Sequence, residues 1–88
     1  MAQDVNTAHI IWRRTQVQAA TGYSRSTIYF RITQGLWPKP VSLGARAVGW
    51  PAREVDAINA ARIAGKSDDA IRVLVARLEA ERGEGSRS

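Results

Sequence analysis

Short apolar clusters and polar stretches alternate along residues 10 to 78, and their spacing predicts helices packed around one small hairpin. Ile10, Ile11 and Trp12 make the first cluster, which is too short to carry a period. A strand and a short run packed under a helix both fit it. Thr15 caps a short predicted helix that runs to about Ala20, with Val17 and Ala20 one turn apart on its inner face. Thr21 and Gly22 break that helix, because glycine is the residue expected where the backbone takes a positive φ. Ser24 is a good N-cap for a second helix over Arg25 to Gln34, which Gly35 stops. At about 100° per residue, Ile28 and Ile32 face Val17 and Ala20. Ser26, Tyr29, Phe30 and Thr33 then look outward, with Arg25 at the leading edge.

Pro38 and Pro40 force LWPKPVSLGARAVGW out of helical geometry. Val41 to Leu43 and Ala47 to Trp50 read as strands joined by Gly44, Ala45 and Arg46. Pro51 opens a third helix in which Glu54 and Asp56 sit favourably against the helix dipole. Its buried side is Val55, Ile58 and Ala61, and Gly65 ends it. Ser67, Asp68 and Asp69 start a fourth helix with a cap followed by acids. Ile71, Leu74, Val75 and Leu78 form an apolar stripe along it. The stripe fits packing on the chain's own core or on a partner; a core this small needs every apolar face it has, which favours the first. The expected organisation is a flexible polar tail at 1–9, a winged helix-turn-helix at 10–64, a C-terminal amphipathic helix at 65–82 and a frayed tail at 83–88. In class it is mainly α with a small β-hairpin.

The totals narrow the chemistry. With 88 residues the chain is one domain in size. It has no cysteine, so disulfides and thiolate zinc sites are excluded, and His9 alone cannot build a metal site. MAQDVNTAH lacks the apolar stretch of a secretory signal, and no apolar run approaches the roughly 20 residues that a bilayer needs. A soluble, cytoplasmic chain with no membrane partner and no cofactor is expected. The net charge of +5 is unevenly placed. Residues 1 to 53 hold seven basic side chains against one acid, a balance of +6, whereas residues 54 to 88 hold six against seven, a balance of −1. Eleven of the thirteen basic residues are arginine, which points to a polyanion partner.

A helix, a short glycine turn and a second helix are the parts of a helix-turn-helix, and the hairpin stands where a wing would. A helix whose first turn enters a major groove gains from its positive dipole end, from hydroxyls, and from an arginine that can grip guanine with two bonds. On that reading the candidate DNA contacts are Ser24, Arg25, Ser26, Thr27, Tyr29, Phe30 and Thr33 on the second helix. Arg46 on the wing, Arg13 and Arg14 before the first helix, and Lys39 in the proline elbow join them. Each has a plainer alternative. Ser24 serves as a cap, Tyr29 shields the core edge or gives its hydroxyl to a phosphate, and Phe30 meets a thymine methyl or folds against the wing. Arg31 lies on the inward flank as a snorkelling or bridging side chain, and the three tryptophans are packing residues. No paired carboxylates, nucleophile beside a histidine, phosphate-binding glycine loop or metal spacing is present, so an enzyme is not expected.

TGYSRSTIYFRITQGLWPKPVSLGARAVGWPAREVDA resembles the AlpA family of small phage and mobile-element regulators, related to the MerR-like winged helix-turn-helix excisionases. The resemblance covers about Ile11 to Ala64, and its most specific parts are the SRSTIY turn, the Trp-Pro-Lys-Pro elbow and the LGARAVGW hairpin. It implies a double-stranded DNA-binding protein with Arg25, Ser26, Thr27 and Tyr29 in the recognition helix and Arg46 in the wing. The sequence departs from the family's pattern in two places: a basic residue usually stands at Phe30 and an apolar one at Arg31. The resemblance implies either a recombination directionality factor, which bends an attachment region to assist a site-specific integrase, or a regulator at a promoter such as that of an integrase gene. With no ligand-sensing domain and no activation segment in view, the architectural role leads. Self-association along DNA and a protein-interaction role for the last helix are further expectations.

Overall fold

The computed structural model describes the backbone of residues 9–86 and side chains as far as Gly83; residues 1–8 of the tail expected at 1–9, and the last two residues, lie outside the described residues. In chain order the elements are β1 (Ile11–Trp12), α1 (Arg14–Thr21), α2 (Arg25–Thr33), β2 (Val41–Gly44), β3 (Ala47–Pro51), α3 (Ala52–Ile63) and α4 (Asp68–Ser86). This is a winged helix-turn-helix with a C-terminal helix.

The first apolar cluster resolves as a strand. β1 runs antiparallel to β3, with Ile11 opposite Pro51 and Trp12 opposite Trp50, so the hairpin becomes a three-stranded sheet with β3 in the centre. Gly49 makes this closure feasible. A Cβ built on it would lie 2.6 Å from Ile11 Cγ2, 3.0 Å from the Trp12 carbonyl oxygen and 3.1 Å from Leu43 Cδ1.

Helix α1 starts earlier than Thr15. Arg13 takes the cap position, and its backbone N–H donates to Gln16 Oε1 at 2.8 Å, which answers one of the donors that a helix start leaves open. Ala20 is exposed, not inward as its spacing from Val17 suggested. Thr21, at i+4 and so about 40° from Val17 on the wheel, takes the inner place instead. Gly22 at φ 79° ends the helix and gives its N–H to the Gln18 carbonyl at 2.8 Å. Ser24 caps α2 as expected, accepting from the Thr27 N–H at 3.2 Å. Pro51 closes β3 and caps α3 without entering it.

One core joins all the elements. Val17 of α1, Ile28 of α2, Trp50 of β3 and Val55 and Ile58 of α3 meet Leu36 and Trp37 from the elbow. Ile71, Val75 and Leu78 of α4 are buried in the same cluster and Leu74 packs at its edge, so the apolar stripe is covered by the chain itself. Trp37 and Trp50 are fully enclosed and Trp12 is half-buried, as packing residues should be. Helix α4 also continues beyond its expected end at Arg82, through the glycines to Ser86.

Glu54 has a larger part than a helix-start charge. It is completely buried, and Arg82 grips it with two bonds, Nη2 to Oε1 at 2.6 Å and Nε to Oε2 at 2.9 Å. The same Nη2 donates to the Lys39 carbonyl at 2.8 Å, while the Lys39 N–H donates to Glu79 Oε2 at 2.8 Å. With the Trp50 indole N–H on the Pro38 carbonyl at 2.8 Å, these bonds lock the elbow between the wing and α4.

Candidate nucleic-acid interface

Helices α1 and α2 both begin with arginine and carry no acid in the first turn. A cation at that end opposes the helix dipole by about 0.3–1 kcal/mol, so the arrangement is locally unfavourable. The side chains themselves converge. A groove of about 390 Å³ between the start of α1, α2 and the wing is lined by Arg13, Arg14, Thr15, Tyr29, Arg46 and Val48. Across Tyr29 lies a more open hollow lined by Ser24, Arg25 and Ser26. Tyr29 is therefore the shared wall. Its ring is half-buried, edge-on to Trp50 with centroids 6.3 Å apart, and the Arg25 guanidinium lies 5.8 Å from its centroid. This fixes the ring in the core and places the arginine over an aromatic face, a favourable cation–π geometry.

The wing is tied to the helices by Arg13, whose Nε donates to the Val48 carbonyl at 3.1 Å. Arg14 Nε donates to Gln18 Oε1 at 3.1 Å. Arg46 sits with Ala45 in the turn between β2 and β3, exposed at the wing tip. Among the described residues, Arg13, Arg14, Arg25, Arg31, Lys39 and Arg46 form no ion pair with a carboxylate.

The expected contacts divide into groups. Ser24, Arg25, Ser26 and Tyr29 come together with Arg13, Arg14 and Arg46 on one face. Thr27 is half-buried and drawn into the cap, accepting from Ser24 Oγ at 2.9 Å. Phe30 is 62 % exposed. Its neighbour Arg31 is half-buried, 4.8 Å over the Tyr23 ring, with its Nε enclosed and lacking a hydrogen-bond partner. The rotation of α2 thus keeps position 30 outward and position 31 inward, and only the chemistry of the two side chains is exchanged. Thr33 and Lys39 lie elsewhere, along a groove of about 590 Å³ against α4 that Trp37 and Arg72 also line. Thr33 Oγ1 donates to the Phe30 carbonyl at 2.6 Å. Thr15, expected as a cap, is instead part of the cationic groove, a placement that only the pairing of β1 with β3 and the earlier helix start bring about. No described helix is long and apolar enough to cross a membrane.

The model of the family described as "Prophage CP4-57 regulatory protein (AlpA)" matches residues 10–63, from the residue before β1 to the end of α3. The chain belongs to the AlpA family. A relative from Enterobacteria phage P4, described as "Uncharacterized protein ORF88", is 48% identical over 54 residues. The match covers 61% of this chain and 61% of the P4 protein, so the chain spans less than two thirds of that relative's length. No solved structure matches. The AlpA match takes in α1, α2, the wing and the cationic groove and leaves α4 outside, although α4 is packed into the same core.

Proposed function

We propose that this AlpA-family chain binds double-stranded DNA sequence-specifically, with the first turn of α2 in the major groove and the β2–β3 wing on the flanking backbone or minor groove. The observation that carries this reading is the gathering of Arg13, Arg14, Arg25 and Arg46 on one face without a carboxylate partner among the described residues. A duplex supplies the missing counter-charge. Arg25, braced on Tyr29, is the guanine reader; Ser26 and the amides at the start of α2 take base edges or phosphates, and Phe30 meets a thymine methyl. Ser24 and Thr27 hold the turn in shape. Thr33 at the far end of α2 and Lys39 in the elbow touch the backbone only in a longer contact.

The chain serves a phage or integrative element as a recombination directionality factor, filling neighbouring half-sites and bending an attachment region for an integrase. Its size agrees with this: the Cα trace measures 31 × 29 × 24 Å, close to the roughly 34–36 Å of one duplex turn, which suits one copy per turn. The phage origin of the P4 relative agrees with a mobile element. The second reading, occupancy of a promoter, draws on the regulatory description of the family. Footprinting separates them. Sites phased at about one helical turn with a bent duplex support the first; one unbent operator over a promoter supports the second. For either, neutralising about five phosphates gives a slope of log K on log salt near −4.5, and a flat response would refute DNA binding.

A further inference from the structure

We infer that the groove between α1, α2 and the wing is a seat for a single phosphate, occupied by one phosphodiester of the duplex backbone. The inference rests on the DNA-binding reading and sharpens it, because it makes three elements share one anchor point. Arg13 and Arg14 each spend Nε inside the molecule, on the Val48 carbonyl and on Gln18 Oε1. Their outer nitrogens have no acceptor among the described residues, and a guanidinium held by its inner nitrogen presents the remaining donors as a fixed fork. Arg46, Thr15 and Tyr29 line the same groove, and their side chains likewise make no hydrogen bond among the described residues. The backbone amides of Arg14 and Thr15 are open as well, since the ladder of α1 begins with the bonds from Gln16 and Val17 to the Arg13 carbonyl.

This donor set fits a tetrahedral anion better than a planar one. Its lining residues bring three guanidinium groups and two hydroxyl side chains, beside the open amides at the start of α1, and no carboxylate or carboxamide. Three like charges drawn into one groove repel each other until an anion arrives. Tyr29 then couples the seat to the base reader, because it lines the groove and Arg25 lies over its ring. A phosphate held here sets the register in which Arg25 meets its base, the usual division of labour between backbone and base contacts.

The test uses a duplex that the wild-type chain selects from random sequence, with one uncharged methylphosphonate moved in turn through the phosphates around the site. Neutralising one particular phosphate should weaken wild-type binding about tenfold, and the same duplex should cost Arg14→Ala and Arg46→Ala less than about twofold beyond their own loss. Arg77→Ala, on α4 and paired with Glu81, should keep the full tenfold response. Thermal melts confirm that Arg14→Ala and Arg46→Ala are folded; Arg46→Gln replaces the latter if its melt is altered. If Arg14 and Arg46 lose sensitivity at different phosphates, or at none, the shared seat is overturned while DNA binding stands. If no duplex is selected, DNA binding itself fails and inorganic phosphate becomes the probe. Saturable shifts of the Arg14 and Thr15 amides that vanish in Arg46→Ala then keep the seat for a free phosphate, and unchanged amides overturn it.

Discussion

Helices α1 and α2 begin with arginine and no acid, whereas α3 begins with Glu54 and α4 with Asp68 and Asp69. In the second pair, charge is answered within the molecule. Arg62 meets Asp68 and Arg72 meets Asp69, each at 3.1 Å, and Arg82 meets Glu54 at 2.6 Å. In the first pair, Arg13, Arg14 and Arg25 have no such partner among the described residues. The scaffold half has acids at both helix starts, with Arg53 of α3 as the one cation among them, whereas the α1–α2 half has cations and no acid there. Cations gathered side by side at two helix starts are what the proposed anion-binding surface requires, and Arg13, Arg14 and Arg25 are held there by the Val48 carbonyl, Gln18 and the Tyr29 ring.

The largest test acts on the scaffold side. Arg82→Ala leaves Glu54 buried and unpaired and should cost about 3–5 kcal/mol in urea unfolding. Replacing both partners with apolar residues of similar volume should be near neutral or stabilising. Arg25→Ala should do the opposite: no loss of folding stability, but about 1–3 kcal/mol of binding and a relaxed preference between selected and scrambled duplexes in competition assays. If its melting point fell instead, the cation would belong to the scaffold and the contrast would dissolve. Ser24→Ala removes the α2 cap and should cost about 1 kcal/mol in thermal melts, because the Thr27 N–H loses its acceptor. The smallest effect is also the most pointed. Arg14→Glu puts an acid where the dipole favours one and gives up the Nε bond to Gln18, so folding stability should change by less than about 1 kcal/mol while duplex affinity drops. A larger loss of stability would contradict the contrast directly.

The parts that short-range chemistry determines were legible in the residue order. Gly22, Ser24 and Gly35 mark the turn, cap and stop of the helix-turn-helix, and the prolines mark the elbow, because each acts on its immediate neighbours. The 3.6-residue period placed Ile28 and the stripe on α4 inside, and placed Phe30 outside and Arg31 on the inward flank. What stayed hidden depends on contacts across the fold. β1 is Ile11 and Trp12 alone, and only its pairing with β3 identifies it. The Glu54–Arg82 pair joins residues 28 positions apart, and Arg13 reaches Val48 across 35, separations at which spacing carries no signal. The cationic groove inherits that limit. Arg13, Arg14 and Arg46 could be named individually, but their meeting at Tyr29 requires the third strand.

Gly49 carries a consequence for how this surface tolerates mutation. A single methyl at that position would press on the Ile11 side chain and on the main chain of Trp12, so the first strand would have to peel away from the middle one. Arg13 follows directly after that strand, and its tie between the helices and the wing would slacken with it. A random library screened for folding and duplex binding should therefore find position 49 almost as intolerant as the arginines, although it is buried in the sheet.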